Sequence, residues 1–281
     1  VVVIGESSAE AGRRLDRVYD RLCQNNPDHL HMTIAEAEVA KLALNCYLAL
    51  KISFSNTLGR LCEGLPGVDS ERVVEVLQRD RRIGKGYLKG GMPYGGPCFQ
   101  RDMAAYLEVA RRAGGGDELV MAAENVNRGQ LDRLVDLVRS EAALVGGRSV
   151  AVLGVAFKEN TAILTGSAGL GLAEVLAGES QMSVTVYDPH ALSAAKRVLG
   201  DRVRYAESLA AAVGSARVVV VTTRDEAYAG LEPGMLPGGR SSIVDCWRLL
   251  RGELFSAAGH RYVTLGKKFD AAAVGDPEKV R

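Results

Sequence analysis

From Thr33 to Glu63 the chain has no proline, has glycine only at Gly59, and spreads Ala, Leu and other apolar residues over nearly every side of a helical wheel. A helix of this kind has no side suited to water, so it belongs in a core or in an interface between copies of the chain. With 281 residues, 47% of them hydrophobic, the chain has material for roughly two globular domains. The 35 basic residues nearly balance the 34 acidic ones, and no long run of one sign occurs. A general nucleic-acid or membrane surface is therefore not expected, and a small-molecule partner is.

No apolar run approaches the ~20 residues that span a bilayer. Cys23, Cys46, Cys62, Cys98 and Cys246 are scattered, odd in number and without a CxxC pair. That pattern suggests neither a zinc site nor a disulfide framework, and no metal is expected; it fits a reducing cytoplasm.

Val1-Val2-Val3-Ile4-Gly5 reads as a buried strand and its turn, Ser8 to Cys23 has helical spacing, and Asn25-Asn26-Pro27-Asp28 is a turn cluster. Residues 1–28 look like the last βα unit of a domain that begins before Val1. Residues 29–145 read as a helical central domain. In it, Val73–Leu77 continues as a short helix, a loop holds Gly84, Gly86, Gly90, Gly91, Gly95 and Gly96 with Pro93 and Pro97, and helices run over Arg101–Ala113 and about Asp117–Leu144. Residues 146–281 change period. Strands are expected at Ser149–Gly154, Val184–Tyr187, Val218–Val221, Ile243–Asp245 and Tyr262–Leu265, with helical stretches between several of them, the alternation of a parallel, doubly wound sheet.

The sharpest local signal is Gly95-Gly96-Pro97-Cys98-Phe99-Gln100-Arg101-Asp102, where a cysteine leaves a glycine loop and enters a helix. A helix N-terminus stabilises a thiolate, as a nucleophile requires, although a small buried residue at a turn would look the same. Asp102, one helical turn on, either orients a water at the thiol or serves as a cap or a surface ion pair. Lys41 and Asn45 are spaced i, i+4 on one helix face and suit holding an oxyanion; alternatively Lys41 pairs with Glu38 at a solvated helix end. Arg79, Arg81, Arg82, Lys85 and Lys89 around the glycine loop fit either a phosphate cradle or a solvated loop. Phe157-Lys158 falls at the carboxyl edge of the first strand of the sheet, where such folds bind ligands, but no GxGxxG follows.

In this order, these segments resemble the UDP-glucose and GDP-mannose dehydrogenase family. Ala37-Glu38-Val39-Ala40-Lys41-Leu42-Ala43-Leu44-Asn45 is similar to its central-helix motif, Asp80-Arg81-Arg82-Ile83-Gly84 to its substrate loop, and Gly95 to Asp102 to its catalytic loop. Val152 to Lys158 and Val186-Tyr187-Asp188-Pro189 resemble the opening of its C-terminal Rossmann-like domain. The resemblance implies an α/β protein with a helical central dimerisation domain followed by a doubly wound, UDP-sugar-binding domain. It also implies NAD-dependent, two-step oxidation of a UDP-sugar C6 alcohol, UDP-glucose foremost, through a thiohemiacetal and thioester on Cys98. Lys41 and Asn45 would steady oxygen charge, and Asp102 would help deliver water. Arg82 would reach a substrate on a neighbouring subunit, while Tyr87, Leu88, Lys89, Gly95, Phe157, Lys158 and Arg248 would contact the substrate. Arg101, where the family usually has Lys, would face the cofactor. The family's NAD-binding glycine fingerprint is not in these residues, so a fragment inactive by itself is expected. The rival is a non-catalytic nucleotide-sugar-binding or scaffold protein derived from the family.

Overall fold

The computed structural model describes residues 1–268. They form two compact units, one of residues 1–48 with 98–121 and one of residues 49–97 with the chain from 122 onward.

In the first unit, strand β1 (Val2–Gly5) and strand β2 (His29–Met32) pair in parallel, with Val3 opposite Leu30. Helix α1 (Ala9–Leu22) joins them, capped by the Ser8 hydroxyl, which accepts from Ala11 N at 3.3 Å. Strand β2 has no counterpart in the sequence reading. His-Leu-His-Met is a poor strand pattern, and the pairing with β1 is what makes it one. The His31 imidazole bridges Glu6 (2.8 Å) and Asp16 (3.0 Å), tying β2 to α1. Helix α2 (Ile34–Gly64) starts where expected because Thr33 and Glu36 make a reciprocal capping box: Thr33 N donates to Glu36 Oε2, and Glu36 N donates to Thr33 Oγ1. Its residues to Leu48 belong to this unit, with helix α4 (Pro97–Ala113) from Cys98 on and the start of helix α5 (Glu118–Leu144).

The chain covers only one side of α2. Cys46, Ala49, Ser53, Asn56 and Cys62 are buried, whereas Leu44, Tyr47, Phe54 and Leu61 remain exposed. Of the two settings the sequence allowed, a core within the single chain therefore accounts for half the helix.

In the second unit, helix α3 (Ser70–Arg79) is longer than expected because Asp69 caps it a full turn earlier, accepting from Glu71 N at 3.0 Å. Residues 80–96 form the irregular glycine loop anticipated from sequence. Asn56 accepts from Gly91 N at 2.6 Å, Asn127 accepts from Tyr94 N at 2.8 Å, and Gln130 donates to Gly91 O at 2.7 Å, so the loop has a fixed course.

Strands β3 (Ser149–Leu153), β4 (Ser183–Tyr187), β5 (Arg204–Tyr205), β6 (Val218–Val221), β7 (Ser242–Asp245) and β8 (Arg261–Thr264) form a parallel sheet in the order β5-β4-β3-β6-β7-β8. That is doubly wound topology, with its switch point beside β3. Helices α6 (Ala168–Ala177), α7 (Leu192–Leu199), α8 (Leu209–Val213) and α9 (Gly252–Ala257) connect the strands. Alternation sorts the side chains: Val150, Val152, Val184, Val218 and Val220 pack with Val138 of α5 and Leu172 of α6, while Ala151, Leu153, Val219, Val221 and Ile243 face the opposite layer with Val213 and Phe255. Two-residue β5 escaped the sequence reading because it is too short to show a period. A buried ion pair, Glu141 with Arg261 (2.7 Å), joined by the Ser242 hydroxyl (2.6 Å), fixes α5 to the outer strands.

Candidate functional site

Cys98 is the second residue of α4, exposed and without a disulfide, whereas Cys46, Cys62 and Cys246 are buried and Cys23 is partly covered. Of the alternatives at Cys98, the exposed thiol at a helix start is the one found. One turn on, Asp102 is only 4% exposed, yet it is surrounded by donors. Lys41 Nζ (2.7 Å) and Asn45 Nδ2 (2.6 Å) both reach Oδ2, and Arg101 Nε reaches Oδ1 at 3.0 Å. The Lys41 hydrogen bond above all, then Arg101 and Asn45, holds the Asp102 carboxyl below its usual range against the opposing effect of burial. Lys41 thus pairs with Asp102 and not with Glu38, and Asp102 is not a cap but a buried carboxylate ion-paired with the exposed cations of Lys41 and Arg101. Arg101, expected at a cofactor, is turned onto Asp102. Beside this cluster Cys46 is buried, and its thiol is pushed up to about 11 by that burial and then by the Asp102 charge. It is inert at neutral pH.

In the second unit, the glycines before Cys98 are dictated by packing. Gly96 has φ +87, its N–H donates to Thr165 O at 2.8 Å, and a Cβ there would lie 2.6 Å from the Phe157 ring. A side chain on Gly95 would strike the Gly166 carbonyl. Phe157 N donates to Ile163 O, and exposed Lys158 holds its ammonium 5.5 Å from the Phe157 ring centroid. Leu88 is buried, Tyr87 is exposed with φ +62, and Arg82 is bound to Asp80 with its side chain 88% exposed.

Lys89, Gly90 and Arg248 line a cavity of about 390 Å3 with Ser55, Ser70 and Gln78. Lys89 is also held over Trp247, 5.9 Å from the ring centroid, and partial burial lowers its pKa. Arg248, at φ +53, is committed to Asp69 (2.8 Å), Glu71 (3.2 Å) and Leu265 O (2.9 Å), so any phosphate there shares it with carboxylates. The sequence reading missed the loop anchors Asn56, Asn127 and Gln130, and it missed Arg224 at the carboxyl edge of the sheet. Arg224 follows a run of valines by two threonines, and that position was its only signal.

The glycine positions at β1 and α1 are already occupied. The space beside Gly5, the last residue of β1, is filled by Ala37 and Ile34, and that beside Gly12 by the Glu6 carboxylate and His31. In the second unit the turn after β3, where a dinucleotide phosphate would lie, already holds an anion from within: Asp188 Oδ2 accepts from Val155 N (2.8 Å) and Ala156 N (3.0 Å), and Oδ1 accepts from His190 N (2.8 Å) and Ala191 N (2.7 Å). No metal-ligating cluster occurs among the described residues, and no helix among them is long and apolar enough to cross a membrane.

The model of the UDP-glucose/GDP-mannose dehydrogenase family, central domain, matches residues 35–129, and that of the family's UDP binding domain matches residues 151–252. UDP-glucose 6-dehydrogenase AglM of Haloferax volcanii is 37% identical over 230 residues, which are 79% of this chain and 53% of that protein. UDP-glucose 6-dehydrogenase TuaD of Bacillus subtilis is 31% identical over 94% of this chain and 57% of its own. The solved UDP-glucose dehydrogenase of the hyperthermophilic archaeon Pyrobaculum islandicum superposes with a TM-score of 0.78 at 33% identity, covering 92% of this chain and 57% of that one. The chain spans little more than half the length of these relatives. The two domain models of one family match successive parts of the chain, and the chain belongs to the UDP-glucose/GDP-mannose dehydrogenase family.

Proposed function

We propose that this chain carries the catalytic thiol and the nucleotide-sugar site of a UDP-sugar 6-dehydrogenase, with UDP-glucose as substrate. The observation that carries the reading is the exposed Cys98 at the start of α4, one turn from an Asp102 that gathers Lys41, Asn45 and Arg101. Once C6 is an aldehyde, the Cys98 thiolate adds to its carbon, forming a C–S bond and leaving charge on oxygen. Lys41 and Asn45 stabilise that oxygen. After the second oxidation C6 is a thioester; a water that Asp102 orients attacks it, the C–S bond breaks, and the carboxylate leaves with the thiolate restored as the water's two protons pass to solvent.

NAD would accept the two hydrides in this reading, and Arg101 would face it. Arg82, Tyr87, Leu88, Lys89, Gly95, Phe157, Lys158 and Arg248 serve the nucleotide sugar, Arg82 from across a subunit boundary. The assembly is a homodimer through α2, because half of that helix is left uncovered, and a reducing cytoplasm suits the free thiol.

Calorimetry with UDP-glucose, followed by an absorbance assay for NADH, tests the reading on this chain. Binding without NADH formation is expected. A well-folded protein that binds no nucleotide would remove the substrate role of Phe157 and Lys158, and robust NADH formation would show that the cofactor is held by these residues after all.

A further inference from the structure

Trp247 is the one tryptophan of the chain, and two cations rest on it: Lys89 Nζ and Arg224 Cζ each lie 5.9 Å from its ring centroid. The ring cannot swing away. Its Nε1 donates to Thr222 O at 2.8 Å beyond the end of β6, and its backbone N donates to Asp245 Oδ1 at 3.1 Å at the end of β7. Both anchors lie at the carboxyl edge of the parallel sheet, the edge at which such folds receive ligands.

The two cations have much in common. Neither has a carboxylate within ion-pair distance among the described residues, whereas Arg248, which lines the same cavity as Lys89, has two. They also repel. After burial, the Arg224 charge is the largest influence lowering the Lys89 pKa, ahead of the attraction of Glu71. Two positive groups without carboxylate partners, each held over one fixed ring, repel one another, and a bound anion relieves that cost. Arg248, the remaining cation nearby, is already satisfied by Asp69 and Glu71.

We infer that Arg224 is a further phosphate-binding residue, which together with Lys89 receives the diphosphate of a nucleoside diphosphate sugar against Trp247. This rests on the nucleotide-sugar reading above and adds to it a residue that no motif marks. A guanidinium is suited to the task because its planar fork can bind two phosphate oxygens at once while its face stays on the indole.

The test uses the full chain and its built-in fluorophore. Trp247 emission is titrated with UDP, with inorganic pyrophosphate and with uridine, in wild type and in Arg224→Gln and Arg224→Lys. UDP and pyrophosphate should shift the emission, and Arg224→Gln should weaken both by about tenfold and flatten their salt dependence. Arg224→Lys should recover part of the loss, and uridine should be indifferent to either change. Equal UDP affinity in wild type and Arg224→Gln, whatever the change in melting temperature, would overturn the inference and leave Arg224 a packing residue. Pyrophosphate binding that depends on Arg224, in a protein that ignores UDP, would instead uphold the anion site and overturn the nucleotide-sugar reading. Binding of neither ligand would overturn both.

Discussion

Lys41 Nζ stands 2.7 Å from Asp102 Oδ2, a contact between α2 and α4 that spans 61 residues of sequence. The pair is lopsided, since the Lys41 side chain is 58% exposed and that of Asp102 only 5%. The buried partner is therefore the one that depends on the contact, and Asn45 and Arg101 reinforce it. Because Asp102 titrates below its ordinary range, its contribution to stability is present above the unfolded-state value and is lost as pH falls through the folded one, so the window lies below about pH 4. Asp102→Asn should destabilise the protein by about 1–3 kcal/mol at neutral pH. Urea unfolding from pH 6 to 3 should show a wild-type advantage that shrinks across that window. An advantage unchanged at pH 3 would mean that the pair adds nothing.

Thiol accessibility gives a second prediction. Cys98 is exposed, while Cys46, Cys62 and Cys246 are buried and have thiols raised first of all by that burial. Iodoacetamide at neutral pH should alkylate Cys98 first and Cys23 next, with peptide mapping as the readout. In the intact enzyme Cys98→Ser should abolish net formation of the sugar acid, because an alkoxide is a much poorer trap and leaving group than a thiolate. Near-normal turnover of that variant would remove the covalent mechanism.

The parts of this arrangement that were legible in the sequence are those written locally. The proline-free apolar stretch from Thr33 announces α2, the buried apolar runs announce β3 and β6, and the glycines before Cys98 announce a loop. The candidate site residues Cys98, Lys41, Asn45 and Asp102 stand out for the same reason, since each sits in a short motif. What could not be read was partnership. Whether Lys41 turned to Glu38 or to a carboxylate in another helix depends on how α2 and α4 pack, and a periodicity carries no such information. Strand β2 was hidden likewise, because His29 to Met32 become a strand by pairing with β1, and α3 was undercounted because its Asp69 cap lies a turn before the apolar residues begin.

The exposed side of α2 leads to a third prediction. Tyr47, Phe54 and Leu61 are spaced i, i+7, i+14 along one stripe, and Phe54 is 56% exposed. In a twofold interface each residue counts twice, so with about 2 kcal/mol for burying a phenylalanine, Phe54→Glu should weaken a dimer by at least two to three orders of magnitude. Light scattering at micromolar concentration should give a dimer for wild type and a monomer for the variant, with the melting transition of each chain little changed. A monomeric wild type would dismiss the interface.

Asp188 yields the last prediction, and it concerns what the Rossmann-like sheet can no longer do. Its carboxylate is 4% exposed and accepts from four backbone N–H groups, two in the turn after β3 and two in the turn after β4. In a dinucleotide-binding fold the first of these turns offers its amides to a phosphate, whereas here a side chain has taken the phosphate's place. Asp188→Asn keeps the size but turns an NH2 toward one pair of amides, setting donors against donors. A loss of about 2–4 kcal/mol is expected, because buried N–H groups without acceptors are costly. Asp188→Ala strips the acceptor from all four and should lose at least as much. It also empties the turn, so inorganic phosphate should raise the melting temperature of Asp188→Ala by more than it raises that of wild type. Thermal unfolding followed by Trp247 fluorescence reads both effects. If Asp188→Asn melts within a degree of wild type, the four hydrogen bonds do not hold the turns.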